Sequence, residues 1–248
     1  MILLFDIGNT HTHVGLADDR RVVKQADIPT LAWFGGSAAA RVRKIAGKNK
    51  ISGVALCSVV PQATPLARKA ARSVWKLEAL ELTPQTVRGV GIDYPKPNSI
   101  GPDRLANAVA AKFHFGAPVV VVDFGTAVTF DVVNAKNNYV GGIIAPGLAV
   151  MTNYLHEKTA LLPKIEIREI KTVIGKSTEQ AMLVGAVHGY RGLVRNLIAE
   201  LKLELRAKKM PVVATGGYAK LIAAKLPEIS AVEPNLTLEG LRLVWLAK

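Results

Sequence analysis

An apolar run that ends in Asp-x-Gly and leads straight into a second strand-like run occurs twice in this chain, about half a chain apart. The first copy is Ile2-Leu3-Leu4-Phe5-Asp6-Ile7-Gly8-Asn9-Thr10, continuing into His11-Thr12-His13-Val14-Gly15. The second is Val119-Val120-Val121-Val122-Asp123-Phe124-Gly125-Thr126, continuing into Ala127-Val128-Thr129-Phe130-Asp131. Aligning Asp6 on Asp123 brings Gly8 onto Gly125 and Thr12 onto Thr129. A carboxylate at the end of a buried strand is costly unless a cation or hydrogen-bond donors face it. A glycine two residues later lets the backbone come close to a ligand. Two such turns point to two half-domains that hold one polyanion.

The 248 residues fit one large domain or two of about 120. Strand patterns are expected at 2–6, 11–17, 21–26, 51–59 and 77–82, and helices at 37–46, 62–75 and 103–115. Between them, 83–102 is a long loop rich in Pro and Gly, a length that in a compact domain often signals function. The second half repeats the opening, with strands at 119–123, 127–133 and 139–144, then a helix at 148–158. An irregular stretch at 159–176, a long helix at 178–203, a strand ending in Gly216-Gly217 and a last helix at 237–247 complete the reading. Strands that lead into helices in two related halves imply an α/β fold, with halves 1–117 and 118–248.

Half of the residues are hydrophobic and the net charge is +13, which raises the question of a polyanionic partner. The basic residues are spread over several expected helices, with no aromatic residues interleaved as stacking platforms, which argues against nucleic-acid binding. The single cysteine, Cys57, excludes an internal disulfide and reads as a small core residue. No apolar run approaches the ~20 residues of a membrane span. No basic leader precedes the first strand, and a cytoplasmic protein is the expectation.

Each Asp-x-Gly turn can present backbone N–H groups to phosphate oxygens, with Mg²⁺ bridging Asp6 and phosphate. A lone copy reads equally well as a shaped β-turn; two copies and a later Gly-Gly turn favour the ligand site. Gly101-Pro102-Asp103-Arg104 opens a helix. Asp103 is either a first-turn residue favoured by the helix dipole or a general base beside an arginine that grips an anionic substrate. His11 and His13 alternate along a strand and share one side, but no third ligand at a telling spacing makes them a metal pair; His114, His156 and His188 read as structural.

The chain resembles the type III pantothenate kinases, a family that includes the Bvg accessory factor homologues. The motifs that carry the resemblance are Asp6 to Thr10, Gly101 to Arg104 with Leu105-Ala106-Asn107 behind it, and Asp123 to Ala127. Gly141 to Gly147, Thr159 to Pro163, Ile174 to Thr178 and Thr215 to Gly217 complete them. Each motif is modest; in order along the whole chain they are specific. The resemblance implies the acetate and sugar kinase/Hsc70/actin superfamily: two ribonuclease-H-like halves with ATP in the cleft. It implies ATP-dependent phosphorylation of pantothenate to 4′-phosphopantothenate, the first step of coenzyme A biosynthesis, with Asp103 as proton acceptor. Asp6, Gly8, Asn9, Thr10, His11, Thr12, His13 and Thr126 would bind ATP, with Mg²⁺ near Asp6. Tyr94, Gly101, Pro102, Arg104 and Thr178 would bind pantothenate, Asp123 would hold a monovalent cation (K⁺ or NH₄⁺), and the protein would be a homodimer. His11 and His13 depart from the Asn, Thr or Val common in the family. The missing Gly-x-x-x-x-Gly-Lys-Ser/Thr loop excludes the P-loop type of pantothenate kinase. The rivals are a kinase or phosphatase of the same superfamily acting on another small molecule, a non-catalytic regulator and a basic nucleic-acid binder.

Overall fold

The computed structural model describes residues 1–248. In chain order the elements are β1 (Ile2–Ile7), β2 (His11–Ala17), β3 (Val22–Pro29), α1 (Leu31–Phe34), α2 (Ala38–Ala46), β4 (Gly53–Ser58), α3 (Thr64–Ala70), β5 (Ala79–Glu81), β6 (Gly91–Ile92) and α4 (Pro102–Phe115). They continue with β7 (Val119–Phe124), β8 (Ala127–Val133), β9 (Asn138–Pro146), α5 (Leu148–Lys158), α6 (Thr178–Val184), α7 (Tyr190–Glu204), β10 (Val212–Thr215), α8 (Ala219–Ala223), β11 (Ala231–Val232) and α9 (Leu236–Leu246). Two compact units emerge: Met1–Gly116 with Asn137–Val140 and Asn235–Lys248, and Ala117–Lys136 with Gly141–Pro234. A single cut at 117/118 is therefore not the division seen, because α9 and the start of β9 pack with the first unit.

The first unit is a five-stranded sheet in the order β3-β2-β1-β4-β5. β1, β2 and β3 form an antiparallel meander, and β4 runs parallel to β1. Ile2 to Phe5 are all buried because β1 is the central strand and is covered on both faces, which explains an apolar run without alternation. One face is closed by Phe5, Val14, Leu16, Trp33, Val42 and Leu56, with Phe5 meeting the Trp33 ring edge-on at 5.7 Å. On the other, α9 lies so close that a Cβ on Gly53 of β4 would stand 2.2 Å from the Trp245 ring. α4 and α9 touch through backbone: a Cβ on Gly240 would sit 2.0 Å from the Ala106 carbonyl oxygen.

The second unit repeats the strand order with β7 in the place of β1: β11-β10-β7-β8-β9. β7 and β8 are antiparallel and β10 is parallel to β7. Val119 to Val122 are fully buried, like their counterparts in β1. The expected continuous helix 178–203 is two helices joined by a π-helical turn at Gly185–Gly189. Three expected loops contain short pieces, α1, β6 and β11.

Candidate active site

The β1–β2 turn is held from beneath. Gly8 N–H donates to His11 O at 3.0 Å, and the Thr30 hydroxyl donates to Gly8 O at 2.6 Å. The Thr12 and Thr30 hydroxyls lie 3.2 Å apart, and Trp33 Nε1–H donates to Thr12 Oγ1 at 3.0 Å. Asn9, Thr10, His11 and His13 are exposed, while Thr12 is fully buried. The Thr12 side chain therefore shapes the turn from inside, and only its backbone remains for a ligand.

Register brings Cys57, Asp6, His13 and Asp27 into one row across β4, β1, β2 and β3, and residues paired across strands share a face. The Cys57 thiol donates to Asp6 Oδ1 at 3.4 Å, and His13 Nδ1 lies 2.7 Å from Asp27 Oδ1. Burial lifts the Asp6 carboxyl to about 6; His13 opposes the rise, while the Asp103 and Asp27 charges add to it. Burial also pushes the Cys57 thiol well up, assisted by the charges of Asp6 and Asp103. Asp103 thus belongs to the same electrostatic cluster as Asp6.

Asp103 stands in the first turn of α4, after Gly101 as N-cap and Pro102 as first helical residue, a place that suits proline. Arg104 N–H donates to Asp103 Oδ1 at 2.9 Å. A Cβ on Gly101 would lie 2.5 Å from the same oxygen, so a larger residue 101 would press on the carboxylate where it folds over the helix start. Burial raises the Asp103 pKa, against the lowering influence of the Arg104 N–H and guanidinium. The Arg104 guanidinium lies 5.8 Å from the centroid of the buried Tyr139 ring, and Tyr94 meets that ring edge-on at 6.2 Å. Tyr139 ties two expected substrate residues together and was not singled out in the sequence; its only signal was an aromatic residue at a strand start.

In the second unit the matching row across β10, β7 and β8 is Thr215, Asp123 and Thr129. Gly216 has φ +90°, and a Cβ there would lie 2.5 Å from Asp123 Oδ1 and 2.7 Å from the Phe124 backbone. Thr129 Oγ1 donates to Oδ2 of the buried Asp131 at 3.2 Å. Thr126 lies in the β7–β8 turn, where its carbonyl accepts from Gly147 N–H at 3.1 Å. Thr178 begins α6 and is exposed, just after Ser177, whose hydroxyl caps the helix by accepting from Gln180 N–H at 3.2 Å. The two turns differ by one residue: Gly8, Asn9 and Thr10 separate β1 from β2, whereas only Gly125 and Thr126 separate β7 from β8. The position opposite Asp123, Thr129, therefore corresponds to His13 and not to Thr12. Nowhere do three His, Cys, Asp or Glu side chains cluster as a metal site.

Residues 2–200 match the family model described as type III pantothenate kinase. The chain belongs to that family. A type III pantothenate kinase of Methylacidiphilum infernorum (isolate V4) is 44% identical over 98% of this chain and 87% of its own length. One from Akkermansia muciniphila is 44% identical over 97% of this chain and 96% of its own. Among solved structures, a Campylobacter jejuni protein assigned to the Baf family of transcriptional activators aligns with a TM-score of 0.60 at 18% identity, covering 99% of this chain and 98% of that one. A Listeria monocytogenes protein assigned as an N-acetylmannosamine kinase aligns with a TM-score of 0.55 at 12% identity, covering 99% and 98%. At such identities the likeness is one of fold, and the fold of this type III pantothenate kinase family member is that of the acetate and sugar kinase/Hsc70/actin superfamily. No helix is long and apolar enough to cross a membrane.

Proposed function

We propose that Asp103 is the general base of an ATP-dependent pantothenate kinase, taking the proton of pantothenate's primary hydroxyl as that oxygen attacks the γ-phosphate. The chain is a phosphotransferase that makes 4′-phosphopantothenate, the first step of coenzyme A biosynthesis. The observation that carries the role of Asp103 is its seat: half-buried, fixed by one N–H at a helix start, and close enough to Asp6 for its charge to act there. A carboxyl with a raised pKa accepts a proton more readily, and a positioned base is worth roughly 10²–10⁴-fold. Phosphoryl transfer otherwise needs positioning and charge neutralisation.

In the first unit, the Asp6 to His13 turn binds ATP phosphates through exposed backbone and side chains. Asp6 is a suitable sole carboxylate for Mg²⁺, an ion that keeps several waters and supplies charge neutralisation on the phosphates when bound. Gly101, Pro102, Arg104 and Tyr94 serve pantothenate, with the Arg104 fork as the partner of its carboxylate. In the second unit, Thr126 serves ATP and Thr178 pantothenate. Asp123 between two threonines is an all-oxygen row, the donor set a hard monovalent cation prefers, whereas its counterpart Asp6 has a thiol and an imidazole as neighbours. A homodimer is supported by exposed apolar side chains on and after α5: Met151, Tyr154, Leu155, Val173, Ile174 and Leu161, the last 90% exposed. The setting is cytoplasmic.

The test is ADP release with MgATP and pantothenate, in K⁺ and in Na⁺. Activity with K⁺ and pantothenate is expected, with Asp103→Asn reduced about 10²–10⁴-fold while both substrates still bind. Full activity of Asp103→Asn would overturn the base assignment, and equal rates in the two salts would remove the cation role of Asp123.

A further inference from the structure

The first unit contains a cavity of about 550 Å³ that the kinase reading does not use. Its walls come from the C-terminal half of α4 (Val109, Lys112, Phe113), from α9 (Leu243, Leu246) and from the β2–β3 turn. Arg88 and Gly89 close one side. Val109 to His114 lie roughly 9 to 17 Å along the helix axis from Asp103, at a rise of ~1.5 Å per residue. None of Asp6, His13, Tyr94, Asp103 or Arg104 lines it.

The lining has two chemical parts. Val109, Leu243 and Leu246 give an apolar floor, and the Phe113 ring is 63% exposed beside it. Arg20, Arg88, Arg242 and Lys112 bring positive charge. Arg242 is spoken for: it donates to Glu239 and to the Asp19 carbonyl, and Glu239 also holds His114 at 3.1 Å. Asp19 is the cavity's one carboxylate, and its charge acts on Arg242. Arg20, Arg88 and Lys112 enter no ion pair. The Arg88 guanidinium is nevertheless oriented, donating to Val87 O at 2.8 Å and Gln85 O at 3.3 Å. Pockets of this size hold small organic ligands, and an apolar floor with a few convergent charges sets their orientation.

We propose that this cavity binds a small organic anion, a carboxylate, phosphate or sulfonate carried on an apolar or aromatic body. The apolar body lies on Val109, Leu243 and Leu246 and against the Phe113 ring. The anionic group meets Arg20, Arg88 and Lys112, none of which is engaged in an ion pair. Concavity favours a small molecule over a flat protein contact. The inference rests on the first unit alone and stands or falls separately from the identity of the kinase substrate.

The probe is 8-anilinonaphthalene-1-sulfonate, titrated by fluorescence against the full chain and three variants. Arg20→Glu and Lys112→Glu reverse unpaired charges, and Leu246→Trp fills the cavity. Each charge reversal is expected to weaken binding of the probe by about tenfold or more, as for a lost charge-assisted hydrogen bond. Leu246→Trp is expected to remove the same component, with thermal melting and ADP release near those of the parent. Octanoate and octyl phosphate should displace the probe, and octylamine should not. Unchanged binding in Lys112→Glu, a surface substitution that leaves the core intact, overturns the proposal. So does equal displacement by octylamine, or displacement by an Asp/Glu-rich peptide and not by octanoate, which would make the cavity a protein-docking groove.

Discussion

Cys57 stands beside Asp6 in the parallel register of β4 and β1, and its thiol donates to Asp6 Oδ1 at 3.4 Å. A residue that reads as core filler in the sequence is thus a hydrogen-bond donor to the carboxylate beside the proposed phosphate turn. The bond favours the ionised form of Asp6 and partly offsets its burial. Cys57→Val should raise the Asp6 pKa further and move the acid limb of kcat/KM to higher pH, whereas Cys57→Ser, which keeps a donor, should shift it less. Superimposable pH profiles of the three proteins would show that the thiol does not tune Asp6.

The Asp6 carboxyl titrates at about 6 in the folded protein, against an ordinary value of 3.8. The folded state holds this proton more tightly than the unfolded state. The resulting stabilisation is complete below pH ~3.9 and is lost as pH rises through about 6, after which the ionised carboxylate is a standing cost. Asp6→Asn should therefore stabilise the ligand-free protein by on the order of 1–3 kcal/mol at pH 7.5 and by nothing below pH ~4, while ending ATP turnover. Denaturant melts at the two pH values, without nucleotide or divalent ions, measure it.

His13 is held at Nδ1 by Asp27, its neighbour in register on β3. In the ATP-binding turn proposed above it should act on nucleotide binding. His13→Ala is expected to raise the KM for ATP by about tenfold or more, the worth of a hydrogen bond to a charged group. Asp27→Asn should raise it less, by freeing the ring. The KM for pantothenate should stay within about twofold in both; a matching rise in that constant would mean a general loss of fold.

Gly240 of α9 has no room for a side chain against the Ala106 backbone of α4. Gly240→Ala should push the helices apart and destabilise the protein by about 1–3 kcal/mol, as overpacking does. Because α4 carries Asp103 at its start, kcat should fall along with the melting temperature. A melting temperature within a degree of the parent would show that the contact relaxes freely.

The two central strands and their meanders were legible because buried strands leave unbroken apolar runs, and Asp6 and Asp123 interrupt those runs where a charge needs a reason. Asp103 was legible as a choice between helix capping and catalysis, since both place an acid in a first turn. The row Cys57–Asp6–His13–Asp27 was not, because partners on four strands are joined by register and not by spacing. The equivalence of Thr129 with His13 escaped a residue-by-residue alignment, since one extra turn residue shifts every following position. β6 and β11, two residues each, carry too little pattern to read. The helix over 178–203 reads as unbroken because the π-helical turn inside it keeps the composition of its neighbours.

The return of Asn235–Lys248 to the first unit has a bearing on how the protein is made. On the ribosome, the strands that bear Asp6 and the helix that bears Asp103 emerge early, yet the face they share with α9 stays open to water until the entire second unit has been translated. The second unit's segments can pair before that moment; the first cannot close. Completion of the first unit is thus coupled to the arrival of a helix that carries none of the proposed chemistry, and any event that severs the chain before residue 235 leaves Gly15 and Gly53 of its sheet without the cover of Leu238 and Trp245.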